Sequence, residues 1–526
     1  MHRRWHRTLA LLAAAALALT ACGGGSDDDG GGGSADAPVG DPVAGGTAKI
    51  GLVSEPRTLD PAFLGNNLTT NSLVGSALYG ALFTQDPVTG DLSPAMAESL
   101  ETTDGGTTYR MTLQEGLTFS DGSPLDAEAV RANWARAKDI GLRAPVLAVG
   151  LGLGDLRTVD AVTFEFTLNR PTPNFGGAIT TSALNWIGAP AALTQGQAAF
   201  DANPIGAGPF VLESWTRGGE LRLLRNDRYW DAPKPYLDGL TLSVANDAEQ
   251  RYNALQSGAT DAILNGSTQI TARAEEAGFD IAAENRPNGG TEFLFNTTVA
   301  PFDDVRAREA VYKAIDLEAV SQAVFEGQAT APSSWFAESS PFYTGDHLPG
   351  PDPERAEELF AELAAEGKPV SFTIVTFPTP DSTGIAQSIQ TQLSAYDDVT
   401  VEIDNRDFAG ATGALTGKSH QAITAGVQFV DPEPQWWAHL HSESFSNYSG
   451  IEDAELDEAL DAARAATDEA ERRDAYQRVE ERTAEIYPAV LIAETEEVVL
   501  TRDGRLQGVV ISGAGTVLVD GMWLNQ

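Results

Sequence analysis

Apolar and polar positions alternate, or run β-rich, at Tyr109 to Leu113, Thr163 to Leu168, Leu221 to Leu224, Leu240 to Val244, Phe372 to Thr376 and Val399 to Ile403, which predicts six strands. A different spacing marks helices between them. Asp352-Pro353 supplies an N-cap and a proline at the first helical position. Ala356, Leu359, Phe360, Leu363 and Ala364 then recur at i, i+3, i+4, i+7 and i+8. Another helix is expected from Asp303-Asp304, with Val311, Ala314 and Ile315 on one face, and a long acidic helical pair from about Asp453 to Ile486, stopped by Pro488. Strands mixed with helices at uneven intervals predict α/β or α+β lobes over a regular βαβ repeat or an all-β sandwich.

The longest apolar run is at the start. Leu9 to Leu19 are all Leu or Ala, and they follow a segment carrying Arg3, Arg4 and Arg7 with no acid. Eleven such residues make a helix of roughly 16 Å, about half the hydrocarbon thickness of a bilayer, so the pattern predicts an export signal over a permanent span. Leu19-Thr20-Ala21-Cys22 follows at once and resembles the bacterial lipobox. The resemblance implies removal of residues 1–21 and lipidation of Cys22, the only cysteine in the chain. Two acyl chains suffice for stable anchoring where one does not. Residues 22–46 are Gly, Ser, Asp and Pro with little apolar bulk, a composition that predicts a flexible leash before a folded body beginning near Thr47.

Without its signal the chain has 31 Lys and Arg against 75 Asp and Glu, a formal charge of −44. A phosphate backbone would be repelled, so no nucleic-acid partner is expected. The folded region holds no cysteine, which removes disulfides, thiolate metal sites and a thiol nucleophile. An exported hydrolase is the rival class, but no Gly-x-Ser-x-Gly or His-Glu-x-x-His run occurs, and the chain is expected not to be an enzyme.

Ordered motifs carry the next step. Glu55-Pro56-Arg57-Thr58-Leu59-Asp60-Pro61-Ala62 comes first, then Tyr79-Gly80-Ala81-Leu82 and Pro94-Ala95-Met96-Ala97-Glu98-Ser99. Asn203-Pro204-Ile205-Gly206-Ala207-Gly208-Pro209-Phe210 follows, leading to Arg225-Asn226-Asp227-Arg228-Tyr229-Trp230. Asn296 ahead of Pro301-Phe302-Asp303-Asp304 completes the series. In this order they resemble the extracellular solute-binding proteins of the peptide, nickel and opine class (family 5) that serve ABC importers. The resemblance implies an α/β, two-lobed periplasmic-binding-protein fold, class II-like, with an extra subdomain in the first lobe. The implied partition is a first lobe over 47–295 with its insertion at about 80–200, a second lobe over 296–485, and a return to the first over 486–526. It also implies a monomer outside the cytoplasmic membrane, anchored only by lipid, that closes on a small molecule or peptide and hands it to permease subunits with cytoplasmic ATPases.

Peptide-binding relatives pair the peptide amine with an acid in a segment like Ala-Asp-Tyr-x-Asp-Pro. The matching stretch here is Val427-Gln428-Phe429-Val430-Asp431-Pro432, where uncharged Gln428 holds the pairing position and Asp431 belongs to a turn. Gln428, Phe429 and Asp431 are ligand-binding candidates, as are Trp436, Trp437 and Tyr448 just beyond, for their aromatic contact area. Glu55, Trp186, Asn265, Gly266 and Trp335 are candidates by position in motif-bearing segments. His439 and His441 suggest a metal pair, but only four histidines remain after signal removal and no carboxylate lies at ligand spacing, so no metal and no cofactor is expected. A peptide or peptide-like solute is the expected cargo, with an opine, glycan or metal chelate, bound for import or sensing, as the alternative.

Overall fold

The computed structural model describes residues 40–65, 70–87, 89–140, 152–283, 288–494, 497–502 and 504–525. Cys22 and the signal lie outside them. The first strand starts at Thr47, where Gly-rich composition gives way to alternating burial. It sits within a seven-stranded sheet ordered Asp280–Ala283, Val498–Thr501, Ala262–Asn265, Thr47–Leu52, Gly239–Val244, Glu220–Arg225, Phe210–Trp215. Thr47–Leu52 runs parallel to both neighbours, and the other pairs are antiparallel. A second sheet has five strands, in the order Val399–Asn405, Val370–Thr376, Ala422–Phe429, Asn288–Phe295, Ala489–Ala493.

Between the first strand and Phe210 the chain builds an insertion around a four-stranded antiparallel sheet, with Ala97–Thr102, Thr108–Leu113, Thr163–Leu168 and Leu153–Thr158. Helix Ala127–Ile140 packs on it and buries Trp134 against Phe164 and Phe166. All six strands expected from alternation are present. So are the helix Pro353–Ala365, capped by Asp352, the helix Val305–Ala314, and the acidic pair Ala454–Ala465 and Glu469–Ile486. The last helix ends with Tyr487 in the left-handed region at φ 50°, one residue before Pro488.

Strands Asn288–Phe295 and Ala489–Ala493 both belong to the second sheet, whereas the boundaries expected from sequence gave the first lobe everything up to 295 and from 486 onward. The chain crosses between sheets from Ala283 to Asn288 and again from Ala493 to Val498. Both displaced strands are buried on both faces, so their apolar runs suit either sheet and only hydrogen-bond pairing assigns them.

The motif from Asn203 to Phe210 has a steric reason. Its glycines cross the C-terminal end of helix Thr70–Tyr79 so closely that a Cβ on Gly206 would lie 2.1 Å from the Leu78 carbonyl oxygen, and one on Gly208 2.4 Å from that of Ala77. Asn226, from the motif's downstream half, donates its Nδ2 to the Gly208 carbonyl at 2.8 Å. No helix among the described residues is long and apolar enough to cross a membrane.

Candidate functional site

A cavity of about 750 Å³ lies between the two large sheets, within the range of roughly 300–1,000 Å³ common for small-molecule sites. The first sheet's side supplies Val53, Asn246, Gly266 and Ser267. The second supplies Thr424 to Gln428 from one strand, Gly290 to Glu292 from its neighbour, and Pro380 to Ser382 from a helix start. Gln269, on the helix Thr268–Glu276, reaches across and donates Nε2 to the Val324 carbonyl at 3.0 Å, on the helix Leu317–Val324.

Glu292 is the most deeply placed acid of the lining. It sits inside the second sheet, opposite Ala425 on one neighbour and Leu491 on the other, and its side chain has no exposure to solvent. Oε2 lies 3.1 Å from His439 Nε2, and Oε1 has no hydrogen-bond partner among the described residues. His439 comes from the short helix Gln435–Leu440, which the Asp431 turn delivers to the sheet's end.

Four other carboxylates line the space: Asp247, Glu249, Asp381 and Glu497. Asp247 caps the helix Ala248–Ser257 by accepting from Gln250 N at 2.8 Å, and Glu249 pairs with Arg273. Asp381 opens the helix Pro380–Leu393, and burial pushes its carboxyl up to about 6. Arg251 donates Nε to the Leu264 carbonyl at 3.1 Å and Nη1 to those of Ala245 and Asn246 at 2.6 and 3.0 Å. Its guanidinium clamps backbone. Phe377 and Phe408, with ring centroids 6.0 Å apart, and Tyr448 add an apolar wall.

Of the residues expected from sequence, Gly266, Gln428 and Tyr448 line the cavity. The others have different surroundings. Trp186 is buried against Gly75 and donates Nε1 to the Leu64 carbonyl. Trp335, Phe429 and Trp436 form one buried aromatic cluster with Phe336, and none of the four lines the cavity. Trp437 turns the opposite way from its neighbour, giving Nε1 to Asp461 Oδ1 at 3.0 Å. Asn265 turns its amide onto Ser267 and Thr271, and Glu55 accepts from Gly218 N at 3.1 Å. Asp431 makes the turn, accepting from Glu433 N at 2.8 Å, and pairs with Arg472. Large aromatics satisfy burial first, which is why the tryptophans lie in the core and not at the cleft.

Sequence reasoning missed Glu292 and Asp381. A lone acid inside the run Thr291-Glu292-Phe293-Leu294-Phe295 was a usable signal, because buried strands seldom carry one. Asp381 offered none: an acid in a helix's first turn is ordinary partnering of the helix dipole.

Two sheets joined by two chain crossings and meeting over a ligand-sized cavity define a two-lobed solute-enclosing protein. The chain belongs to the bacterial extracellular solute-binding proteins, family 5, whose middle-region model matches residues 91–449. The glutathione-binding protein GsiB of Salmonella paratyphi A is 30% identical over 308 residues, 58% of this chain and 59% of that protein. GsiB of Escherichia coli K12 is 29% identical over 370 residues, 69% and 70% of the two chains. Among solved structures, the PBP AgaA of A. tumefaciens R10 in complex with agropinic acid superposes with a TM-score of 0.82 at 23% identity, covering 91% of this chain and 99% of that one. The oligopeptide-binding protein AppA of Bacillus subtilis, in complex with a nonapeptide, gives 0.79 at 21% identity over 92% and 100%. These likenesses establish the mixed α/β, two-lobed periplasmic-binding-protein fold.

Proposed function

We propose that the protein is the solute-capturing component of an ABC importer, held outside the cytoplasmic membrane by lipid on Cys22, and that its cargo is a peptide or peptide-like molecule. The observation that carries this is the cavity shared by two sheets that, among the described residues, the chain links at two crossings. A solute touching both sides favours the closed arrangement, and the permease reads closure. Moving such an equilibrium from 1:99 to 99:1 takes roughly 5.5 kcal/mol of preference for the closed state. The peptide reading also draws on the glutathione and oligopeptide named for relatives. The boundaries proposed for the lobes follow the crossings, with the second lobe running from Asn288 to Ala493.

A thermal-shift panel of short peptides, opines, sugars and metal chelates tests it, because a tight ligand raises Tm by mass action. A concentration-dependent rise with at least one peptide is expected. A large rise with another class and none with any peptide overturns the peptide assignment. For the anchor, Cys22→Ser is expected to abolish palmitate labelling and release the protein from membranes.

A further inference from the structure

We propose that Glu292 is the acceptor for a cationic group, an ammonium or guanidinium, on the bound solute, so that the cavity selects basic or free-amine solutes and rejects anionic ones. The proposal rests on reading this cavity as the solute site and names the chemistry of its occupant.

Glu292 is fully buried, yet one carboxylate oxygen has no partner among the described residues while the other meets only His439. An unpartnered buried carboxylate oxygen is costly, and an arriving cation relieves that cost by a charge-assisted hydrogen bond. His439 from the Gln435–Leu440 helix holds the carboxylate's orientation from one side. Glu292 is among the residues that line the cavity.

The other charges point the same way. Asp247, Glu249, Asp381 and Glu497 face the same space, and the basic lining residues among those described are Arg251, whose Nε and Nη1 are held by backbone carbonyls, and His439, already on Glu292. A ligand carboxylate entering here meets acids. Oδ1 of Asp381 also lacks a hydrogen-bond partner, and burial has raised that carboxyl, so a second cation acceptor lies on the wall. Phe377, Phe408 and Tyr448 supply aromatic faces suited to the stem or charge of a lysine- or arginine-like group.

Glu292 is not a substitute at the motif position: Gln428 pairs with Gly289, three residues before Glu292 on the adjacent strand, so the acid stands roughly 10 Å along the sheet and its side chain leaves the opposite face.

The experiment is calorimetric titration of wild-type protein and Glu292→Gln with matched probes: cadaverine against 1,5-pentanediol, agmatine, and the tripeptides Ala-Lys-Ala, Ala-Gln-Ala and Ala-Glu-Ala, free and N-acetylated. The wild type is expected to bind the amine-bearing probes at least tenfold more tightly than their neutral or acidic partners, and Glu292→Gln to lose most of that margin while leaving the neutral probes unchanged. Peptides that bind equally to both proteins keep the peptide reading and overturn this subsite. Amines that bind through Glu292 when no peptide binds do the reverse. Absence of any preference for cadaverine over pentanediol in the wild type overturns the subsite without reference to a variant, so a misfolded substitution does not protect it.

Discussion

Arg464 donates Nε to Glu433 Oε1 at 3.0 Å with both side chains almost wholly excluded from water, and its guanidinium lies flat over the Trp437 ring, 3.6 Å from the centroid. The pair joins helix Ala454–Ala465 to the turn that carries the Gln435–Leu440 helix, and hence His439. Burial pushes the Glu433 carboxyl up and Arg464 partly offsets this.

Removing one partner leaves the other charge buried alone. Arg464→Met is therefore expected to destabilise by about 3–5 kcal/mol, seen as a drop in Tm, and Glu433→Gln combined with Arg464→Met to recover a good part of it. A double variant no more stable than Arg464→Met would show that the arginine's packing on Trp437, and not its charge, matters.

Glu480 gives stability a pH dependence. It accepts from Ser334 Oγ at 2.6 Å and Trp335 N at 2.7 Å, and burial pushes its carboxyl up to about 7. The folded state thus binds this proton more tightly than the unfolded chain, so the contribution is favourable at low pH and is lost as pH rises from about 4.5 through 7. Glu480→Gln keeps an acceptor oxygen without a charge, and is expected to raise Tm at pH 8, by up to about 3 kcal/mol in stability, with little change at pH 4.5. Asp381→Asn is expected to act in the same direction across a window ending near 6. Melting curves at the two pH values decide; a gain that persists unchanged at pH 4.5 contradicts the assignment.

Gly206→Ala and Gly208→Ala put a methyl into backbone that cannot step aside. Each is expected to cost about 1–3 kcal/mol or more and to lower the yield of folded protein. Gly105→Ala, where a methyl meets nothing within 4 Å but the left-handed φ of 71° opposes it, should cost less. Comparison of Tm values for the three tests whether close approach or backbone strain dominates.

Gln428→Asp returns a carboxylate to the cavity wall. Peptides that carry both a free amine and a lysine side chain are expected to bind this variant about tenfold more tightly than wild type, one cation meeting Glu292 and the other the new acid, and their N-acetylated forms no better. Titration of one such pair is sufficient, and an unchanged ratio removes Gln428 from the site.

Alternation and capping were readable wherever one face of an element meets water. Tyr109 to Leu113 and the Asp352-Pro353 helix start are local statements, and tertiary structure did not override them. Asn288–Phe295 was a different case: with both faces buried, its residues carry no record of which sheet they join. The cavity was legible only in part for a related reason. Gly266 and Gln428 lie in segments whose order along the chain locates the cleft, but Trp186 and Trp335 share that kind of position and Trp436 offers contact area, and the size of all three sends them to the core. Glu292 matters because of what is missing around one oxygen, a property of packing in three dimensions.

Strand Val498–Thr501 sits between Ala262–Asn265 and Asp280–Ala283, pairing with both. Until the ribosome has released residue 501, the edge strand Asp280–Ala283 has no neighbour in its sheet and the first lobe is unfinished. Pairing between segments this far apart in sequence comes late, so the first sheet closes only after the second lobe's residues have been made. The placement of one four-residue strand thus makes completion of the first lobe wait on residues made after the whole of the second.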